Sequence, residues 1–273
     1  MALSVFFAIS NINIVWIVLS LGFVITLVGK IRLYQIKAFE NKLIQNYQGE
    51  IINHLLSGYK HEYSKNKYID LSILKNSGFI QKKQHYDFYN GEDYLTINIP
   101  NNDGTSSNCD LILSDICVKV IRGYFNVFGI QLPVKEVLYN AMFGYVEFPF
   151  QFNCTLTINA PFYSKKGLEK LELESIAFND NFKMYSSDQV VSRYILNPHM
   201  MQKITSLNDK MNNLMIVIDK NFMCIGCKNK RLFKQGKLKR GKEYEIFSEI
   251  YEDIVLVTSL VEEIRCNDKV FRM

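Results

Sequence analysis

The stretch Ile14-Val15-Trp16-Ile17-Val18-Leu19-Ser20-Leu21-Gly22-Phe23-Val24-Ile25-Thr26-Leu27-Val28 decides how this chain is organised. It lies within residues 1–29, a segment that contains no Asp, Glu, Lys or Arg. A helix needs about 20 mostly apolar residues to cross roughly 30 Å of hydrocarbon. The sequence therefore predicts a transmembrane anchor over residues 1–29 and a large domain tethered to it.

The residues around this span predict its retention and its orientation. A cleavable signal peptide has a positive start and a small-residue cleavage site, and neither is found here. Four cations follow the span, namely Lys30, Arg32, Lys37 and Lys42. Because such residues stay on the cytoplasmic side, the large domain is expected to face the cytoplasm.

Residues 30–58 carry apolar side chains at spacings of three and four, which predicts a helical stem of roughly 40 Å. Gly58 is a natural position for this helix to stop. The apolar stripe could pack on its own domain, or it could drive self-association as a stalk. The stripe has too few clean heptads to favour the stalk.

Residues 59–273 predict an α+β domain in which a mixed, mainly antiparallel sheet is followed by C-terminal helices. A polar connector with one short helix is expected over residues 59–77. The predicted strands are residues 85–89, 94–99, 109–121, 143–148, 153–159, 171–176, 214–219 and 222–226. Three pairs of these strands are expected to be neighbours: 85–89 with 94–99 in a hairpin at Asn90-Gly91, 143–148 with 153–159, and 214–219 with 222–226.

Local signals predict the turns and helices of this domain. Asn90-Gly91 and residues 101–104 predict turns, and Pro133 predicts the start of a short helix.

Ser186 or Ser187 is expected to cap a helix over residues 188–196. Asn197-Pro198 combines a capping residue with a proline at the first helical position, and it predicts a second helix through about residue 208. An amphipathic helix over residues 244–264 is expected to close the domain.

Several motifs resemble a bacterial family catalogued as domain of unknown function 3137. They are Leu173-Glu174-Ser175, Phe178, Phe182, Tyr185-Ser186-Ser187-Asp188-Gln189, Arg193-Tyr194-Ile195-Leu196-Asn197-Pro198 and Met201, with weaker likeness at residues 89–94, 143–145 and 249–251. The resemblance implies N-terminal membrane spans, often two where this chain has one, and hence a bacterial inner membrane. That family has no established activity, so the resemblance implies architecture and no chemistry. Asn197 stands where the family usually has Thr, and either residue caps a helix.

Asp188 and Arg193 are the most distinctive polar residues of this signature and are candidate binding residues. Five positions apart on one helix, they do not share a face well. The simpler interpretation is that Asp188 caps the helix and Arg193 binds a backbone carbonyl or a carboxylate such as that of Glu174. Neither has a neighbouring His or second acid that would indicate general acid–base catalysis, and no catalytic residue is predicted.

Cys224-Ile225-Gly226-Cys227 has the spacing of a redox or metal-binding pair. It lies in a strand pattern, whereas reactive pairs lie at helix N-termini. Strand residues three apart also point to opposite faces of a sheet. Core thiols are therefore expected, with a redox pair or a metal site as the alternatives. No second ligand pair accompanies these cysteines, and no metal or cofactor is predicted.

A basic loop covers residues 228–242. Its eight cations exceed the chain's formal net charge of +5, so the rest of the chain is net negative. Lys237, Lys239, Arg240 and Lys242 are candidate binding residues within it. The loop could be plain solvated surface or could contact anionic lipid; nucleic acid is disfavoured because only Phe233 offers a stacking surface. Residues 236–243 nearly form a phosphate-binding loop, but Glu243 stands where a Ser or Thr must reach Mg²⁺.

Together these features predict a membrane-anchored cytoplasmic interaction or scaffold domain of unestablished activity. Its candidate partners are the membrane itself, anionic lipid at the basic loop, and another protein or a second copy at the stem. The alternative is an enzyme, a hydrolase or thiol-redox protein with an unrecognised site. A deep pocket lined by polar side chains would favour the enzyme, and a flat or grooved surface would favour the scaffold.

Overall fold

The computed structural model describes residues 22–35, 52–54, 56–100, 108–228, 230–233 and 243–266. The chain divides into two compact units, residues 1–50 and 51–273. In the first unit, residues 22–35 form a helix with exposed side chains. Within the described ranges, no helix has both the length and the hydropathy that a membrane crossing requires. Residues 1–21 of the predicted anchor and 36–50 of the predicted stem lie outside these ranges, so anchor and stem stay predictions.

The second unit is built on one sheet, in which every described strand pairing is antiparallel. Its strands are β1 (Lys60–Ser64), β2 (Phe88–Ile99), β3 (Cys109–Val127), β4 (Ile130–Glu147), β5 (Leu156–Ile158), β6 (Glu169–Leu171), β7 (Met184–Ser186), β8 (Met215–Asp219) and β9 (Phe222–Gly226). Their order across the sheet is β1-β2-β3-β4-β9-β8-β5-β7-β6. The predicted α+β class with a mainly antiparallel sheet is confirmed.

The helices of this unit are α1 (Leu71–Asn76), α2 (Ile176–Asn181), α3 (Gln189–Ile195), α4 (Pro198–Met211) and α5 (Glu243–Cys266). The Asn197 side chain accepts the Met200 N–H at 2.9 Å and Pro198 opens α4, as the sequence predicts. The prediction that Ser186 or Ser187 caps α3 is wrong. Asp188 is the cap, as the simpler interpretation of this residue expected, because its carboxylate accepts two backbone N–H groups at the start of the helix.

The two longest helices of this unit, α4 and α5, pack against each other. Lys203 of α4 donates to the Ser259 carbonyl at 3.0 Å and to the Glu263 carboxylate at 2.9 Å. The buried face of α5 consists of Ile250, Ile254, Val257, Leu260, Val261 and Ile264. Ile52 and Leu56 are buried in the same core, so the end of the predicted stem packs on its own domain.

The hairpin predicted at Asn90-Gly91 does not exist, because β2 runs unbroken through both residues and pairs with β3. A Cβ on Gly91 would lie 2.6 Å from the Tyr68 Cβ and 2.8 Å from the Asp115 carbonyl oxygen. Glycine is therefore needed here for a close approach of two segments, and not for a turn. The second turn signal, residues 101–104, lies outside the described residues, although β2 and β3 on either side of it do pair.

The helix predicted at Pro133 is also wrong. Residues 121–137 form the end of β3, a two-residue turn at Phe128-Gly129 and the start of β4. Both turn residues have positive φ, 52° for Phe128 and 82° for Gly129. That pattern is a type I′ turn, whose twist matches a hairpin. Pro133 fits because this part of β4 pairs only with β3, which leaves one edge open.

Other strand predictions also change. β4 pairs with β9, and β5 pairs with β7 and β8, so the predicted pairing of residues 143–148 with 153–159 is wrong. The strand predicted at residues 171–176 overlaps β6 only at Leu171, and Ser175 caps α2 instead. The connector at residues 59–77 contains β1 as well as the predicted short helix α1. The β8–β9 hairpin over Lys220-Asn221 is confirmed.

Candidate functional site

The structure assigns fold-supporting contacts to Asp188 and Arg193 and does not bring them together. One carboxylate oxygen of Asp188 accepts the N–H groups of Val190 at 2.8 Å and Val191 at 3.0 Å. Arg193 donates to the backbone carbonyl of Glu172 at 3.1 Å, one of the two partners expected from the sequence. Both contacts support the fold, and a ligand-binding role for either residue stays a prediction.

The thiols of Cys224 and Cys227 are both buried, and neither is in a disulfide. The Cys227 thiol lies 3.1 Å from the Lys230 carbonyl oxygen, to which it donates. Burial raises the pKa of the Cys227 thiol to about 12 and that of Cys224 further still. Such thiols are protonated at neutral pH and poorly nucleophilic, which agrees with the core-thiol interpretation. Within the described ranges, no group of three or more metal-ligating side chains occurs.

Residues 230–233 form a short strap at the start of the basic loop, and the sheet holds them in place. The Lys230 carbonyl accepts the Met142 N–H of β4 at 2.9 Å. The Lys230 side chain reaches the buried Asp253 carboxylate of α5 at 2.7 Å. Of the predicted lipid-binding set, Lys237, Lys239, Arg240 and Lys242 lie outside the described residues, so their role stays a prediction.

Asp115, at the centre of β3, is the residue that fixes this strap. Its two carboxylate oxygens accept the backbone N–H groups of Leu232 at 2.7 Å and Phe233 at 3.1 Å. Burial raises the pKa of Asp115 to about 7, against the effect of these hydrogen bonds and of nearby Arg231. Because its side chain is fully buried, it cannot reach a substrate. Sequence reasoning missed it, although an acid within the otherwise uncharged run 111–118 was a visible signal.

A second buried carboxyl, that of Asp93, lies at the irregular point of β2. Tyr63 donates a hydrogen bond to it, and burial raises the pKa of the Asp93 carboxyl. Next to it, Glu92 binds Arg231 of the strap at 3.0 Å. Together with Asp115, these contacts tie β1, β2 and β3 to the start of the basic loop.

A cleft of about 880 Å³ opens on the same unit. Its floor is apolar and includes the buried side chains of Phe79, Ile80, Tyr86, Tyr139, Ala160 and Met215. Its rim carries four cations, Arg122, Lys165, Lys183 and Lys228, and two acids, Glu136 and Asp180. Sequence reasoning missed this site, because its lining comes from segments far apart in the chain.

Two contacts shape the cationic rim. Arg122 forms an ion pair with Glu136 across the base of the β3–β4 hairpin. The Lys165 ammonium lies 4.0 Å from the centre of the Tyr185 ring. The adjacent Lys165 ammonium lowers the pKa of the Tyr185 hydroxyl. With four cations against two acids, the rim favours a negative group.

The outer part of the β3–β4 hairpin, here called the ribbon (residues 121–137), extends beyond the sheet. β2 pairs with β3 only as far as Lys119, and β9 pairs with β4 only from Phe143 onward. Eight large hydrophobic side chains of the ribbon are exposed: Tyr124, Phe125, Val127, Phe128, Ile130, Leu132, Val134 and Val137. Residues 123–134 include no charged side chain.

The apolar side chains of the ribbon are concentrated on one face. Cross-strand partners Phe125 with Leu132 and Val127 with Ile130 share that face, since strand side chains alternate. Tyr124 with Pro133 and Asn126 with Gln131 lie on the other. Phe128 at the tip is fully exposed.

The lower end of this hairpin also marks where a family match begins. Residues 138–266 match the model of a family described as Protein of unknown function (DUF3137). The resemblance stated from the signature motifs is thereby confirmed over this range. The DUF3137 match contains the end of β4, all later elements and most of the cleft lining, whereas residues 89–94 and the ribbon up to Val137 lie outside it.

A crystal structure of the mycobacterial trehalose monomycolate transport factor A, TtfA, resembles this chain beyond the DUF3137 range. It covers 79% of this chain and 94% of that chain, with 9% sequence identity and a TM-score of 0.39. Similarity at this level indicates neither the activity nor the partners of the present protein. No curated protein matches the sequence.

Proposed function

We propose that this protein is a membrane-anchored, non-catalytic interaction module whose domain touches the bilayer through the ribbon. The apolar segment of residues 1–29 supports the anchor, and the cations after it support a domain on the cytoplasmic side of a bacterial inner membrane. The basic loop stays a proposed second contact with anionic lipid.

The exposed, uncharged surface of residues 123–134 in the ribbon is the observation that carries this proposal. Monomeric proteins rarely leave such contiguous apolar area in water unless it binds something. Phe128 adds weight, because a bulky residue at φ 52° is strained where Asn, Asp or Gly is preferred. Strained residues persist where they are useful, and here the strain places a phenyl ring at the very tip.

The charges below the tip fit a lipid surface better than a protein groove. Lys135 stands at the base of the uncharged segment on β4, and Arg122 stands at its base on β3, where it is paired with Glu136. The Lys135 ammonium can meet a lipid phosphate while the aromatic side chains enter the interface. Insertion must be shallow, because both edges of a two-stranded ribbon carry backbone groups that hydrocarbon cannot satisfy.

The enzyme alternative would need a reactive constellation in the cleft. The residues lining the cleft include no His, Cys, Ser or Thr. One of its two carboxylates, Glu136, is already paired with Arg122. A His, Cys, Ser or Thr nucleophile with an adjacent base is therefore not found among the lining residues, and the cleft supports binding better than catalysis.

A tryptophan reporter tests the proposal in the full chain. Trp16 is the single tryptophan, so the Trp16→Phe variant has no tryptophan fluorescence of its own. Phe128→Trp then reports on the ribbon, and Tyr194→Trp, at an exposed position of α3, serves as the matched control. The proteins are reconstituted in vesicles containing brominated lipids, which quench tryptophan on contact.

The expected result is strong quenching of Phe128→Trp and little quenching of Tyr194→Trp. Equal quenching at both positions, or none at either, would overturn the bilayer contact. A ribbon covered by a second copy or by another protein would leave Phe128→Trp shielded from water yet unquenched by bromine, which also contradicts the proposal.

A further inference from the structure

The cleft beside the ribbon has the chemistry of a site for a single-chain anionic amphiphile. Its volume of about 880 Å³ is within the range of small-molecule pockets, roughly 300–1,000 Å³. We infer that this cleft binds one acyl chain on its apolar floor and an anionic head group, a phosphate or carboxylate, at its cationic rim. The inference does not depend on ribbon insertion.

The floor is lined by apolar side chains, and the hydroxyl and amide groups next to them are already hydrogen-bonded within the protein. The Tyr139 hydroxyl donates to the Met142 carbonyl at 2.6 Å, and the Tyr86 hydroxyl donates to the Gln81 carbonyl. Asn159 is used in the same way, because its amide donates to the Leu214 carbonyl at 3.1 Å and accepts the Lys183 N–H at 2.9 Å. These groups are therefore not free to bind a polar ligand at the floor, whereas an acyl chain needs no hydrogen bond there.

The rim supplies the charge for a head group. Lys165 and Lys183 both line the cleft, and Lys165 lies against the Tyr185 ring. Arg122 is largely neutralised by Glu136, which leaves the two lysines and Lys228 facing the single acid Asp180. Charge-assisted hydrogen bonds of the lysine ammonium groups to phosphate or carboxylate would fix the head group at this rim.

A photolabelling experiment on the full chain tests the site. The protein is placed in phosphatidylcholine nanodiscs with a lysophosphatidic acid that carries a diazirine in its acyl chain. Labelled peptides are then identified by mass spectrometry. Labelling is expected in the floor segments around Phe79–Tyr86 and Ala160–Phe162 in addition to any label in the membrane anchor.

Charge variants separate a built site from general attraction. Lys165→Gln with Lys183→Gln should reduce floor labelling by about tenfold or more, since each lost charge-assisted bond is worth more than a neutral one. Lys82→Gln with Lys166→Gln removes the same charge at two lysines that do not line the cleft, and it should leave labelling unchanged. An equal loss in both double variants would overturn the proposal.

Competitors define the ligand class. Unlabelled lysophosphatidic acid and a fatty acid should displace the probe, whereas inorganic phosphate or a neutral monoacylglycerol should displace it far less. Full displacement by phosphate alone would show a head-group site without a chain site, and full displacement by monoacylglycerol would show that the lysines do not matter; either result overturns the inference. Ala160→Leu, which narrows the floor, should block labelling, and thermal unfolding checks that this variant is folded.

Discussion

A carboxylate oxygen of Asp115 accepts the backbone N–H of Leu232 at 2.7 Å, although 117 positions separate the two residues in the chain. The other oxygen accepts the N–H of Phe233 at 3.1 Å. This bridge fixes the start of the basic loop on the centre of β3. It also buries an acid that must either ionise without water or keep its proton.

The first prediction concerns the pH dependence that Asp115 imposes. Its pKa rises from 3.8 to about 7 in the folded chain. The stability this group contributes is therefore fully present below about pH 4 and is lost as the pH rises through about 7, at about 1.4 kcal/mol for each pH unit. Asp93, whose pKa is also raised, acts in the same direction. Thermal unfolding of the full chain between these pH values measures the decline.

Asp115→Asn should flatten this decline, because the amide does not titrate. It should also lower the overall stability, since the amide NH₂ meets one of the two strap N–H groups. Asp209→Asn, on an exposed site of α4, should leave the pH profile as it is. An unchanged slope in Asp115→Asn would assign the pH dependence to other groups.

The second prediction separates folding from function at the ribbon tip. Phe128→Asn creates an Asn-Gly turn, the preferred sequence for a type I′ hairpin. Because the Phe128 ring is fully exposed, no packing is lost, and relief of the strain should stabilise the chain by up to about 1 kcal/mol. The same variant should bind vesicles more weakly if the ring enters the bilayer. A loss of thermal stability would mean that the ring packs against something in the folded protein.

The third prediction concerns the close approach at Gly91. An added Cβ would lie well inside contact distance of Tyr68 and of the Asp115 backbone, so Gly91→Ala should cost about 1–3 kcal/mol of unfolding free energy. Gly123→Ala is the matched control in the same sheet, because nothing lies within 4 Å of its added Cβ. Chemical denaturation compares the two. Equal stabilities would refute the steric role of Gly91.

The fourth prediction concerns the two core thiols. Cys224→Ser should lower stability by roughly 1–3 kcal/mol, because a buried hydroxyl is poorly satisfied at that position. Cys227→Ser should cost less, because its hydroxyl can donate to the Lys230 carbonyl that the thiol now contacts. Activity in cells should then fall no faster than protein abundance. In the native chain, a thiol reagent should label exposed Cys266 well before either buried cysteine. A variant with normal abundance and no function would instead support the redox or metal interpretation.

The fifth prediction concerns the basic loop. A Lys or Arg near an anionic leaflet is worth about 1 kcal/mol, and the attraction decays within a Debye length of ~8 Å at physiological salt. In vesicles with anionic lipid, trypsin should therefore cut slowly after Lys237, Lys239, Arg240 and Lys242, and high salt should restore cleavage. Cleavage at the same rate in anionic and neutral vesicles would leave the loop as solvated surface.

Features set by near neighbours in the chain could be predicted. The cap and proline at Asn197-Pro198, the hairpin over Lys220-Asn221 and the amphipathic pattern of α5 all depend on residues a few positions apart. The α+β class follows from the same local patterns. The fold-supporting contact of Arg193 with a backbone carbonyl was also foreseeable in kind.

The candidate site could not be predicted from local sequence patterns, because its residues come together only after folding. The cleft joins residues from Phe79 to Lys228, and its floor is defined by which hydroxyl and amide groups find internal partners. The ribbon could not be recognised from the sequence, where Pro133 predicted a helix, because its apolar residues do not repeat with a clear period. Their pairing across β3 and β4 removed that ambiguity.

The sequence by itself determined the class of the domain and the local starts and stops of its longer helices, because caps, turns and periodicity act over one or two helical turns. Tertiary structure alone decided that Gly91 lies in a strand, that Asp115 holds a distant strap, and that a cationic rim surrounds an apolar floor. Each of these depends on burial and close approach between segments far apart in the chain. Such long-range contacts produce no repeating pattern in the sequence from which they could be predicted.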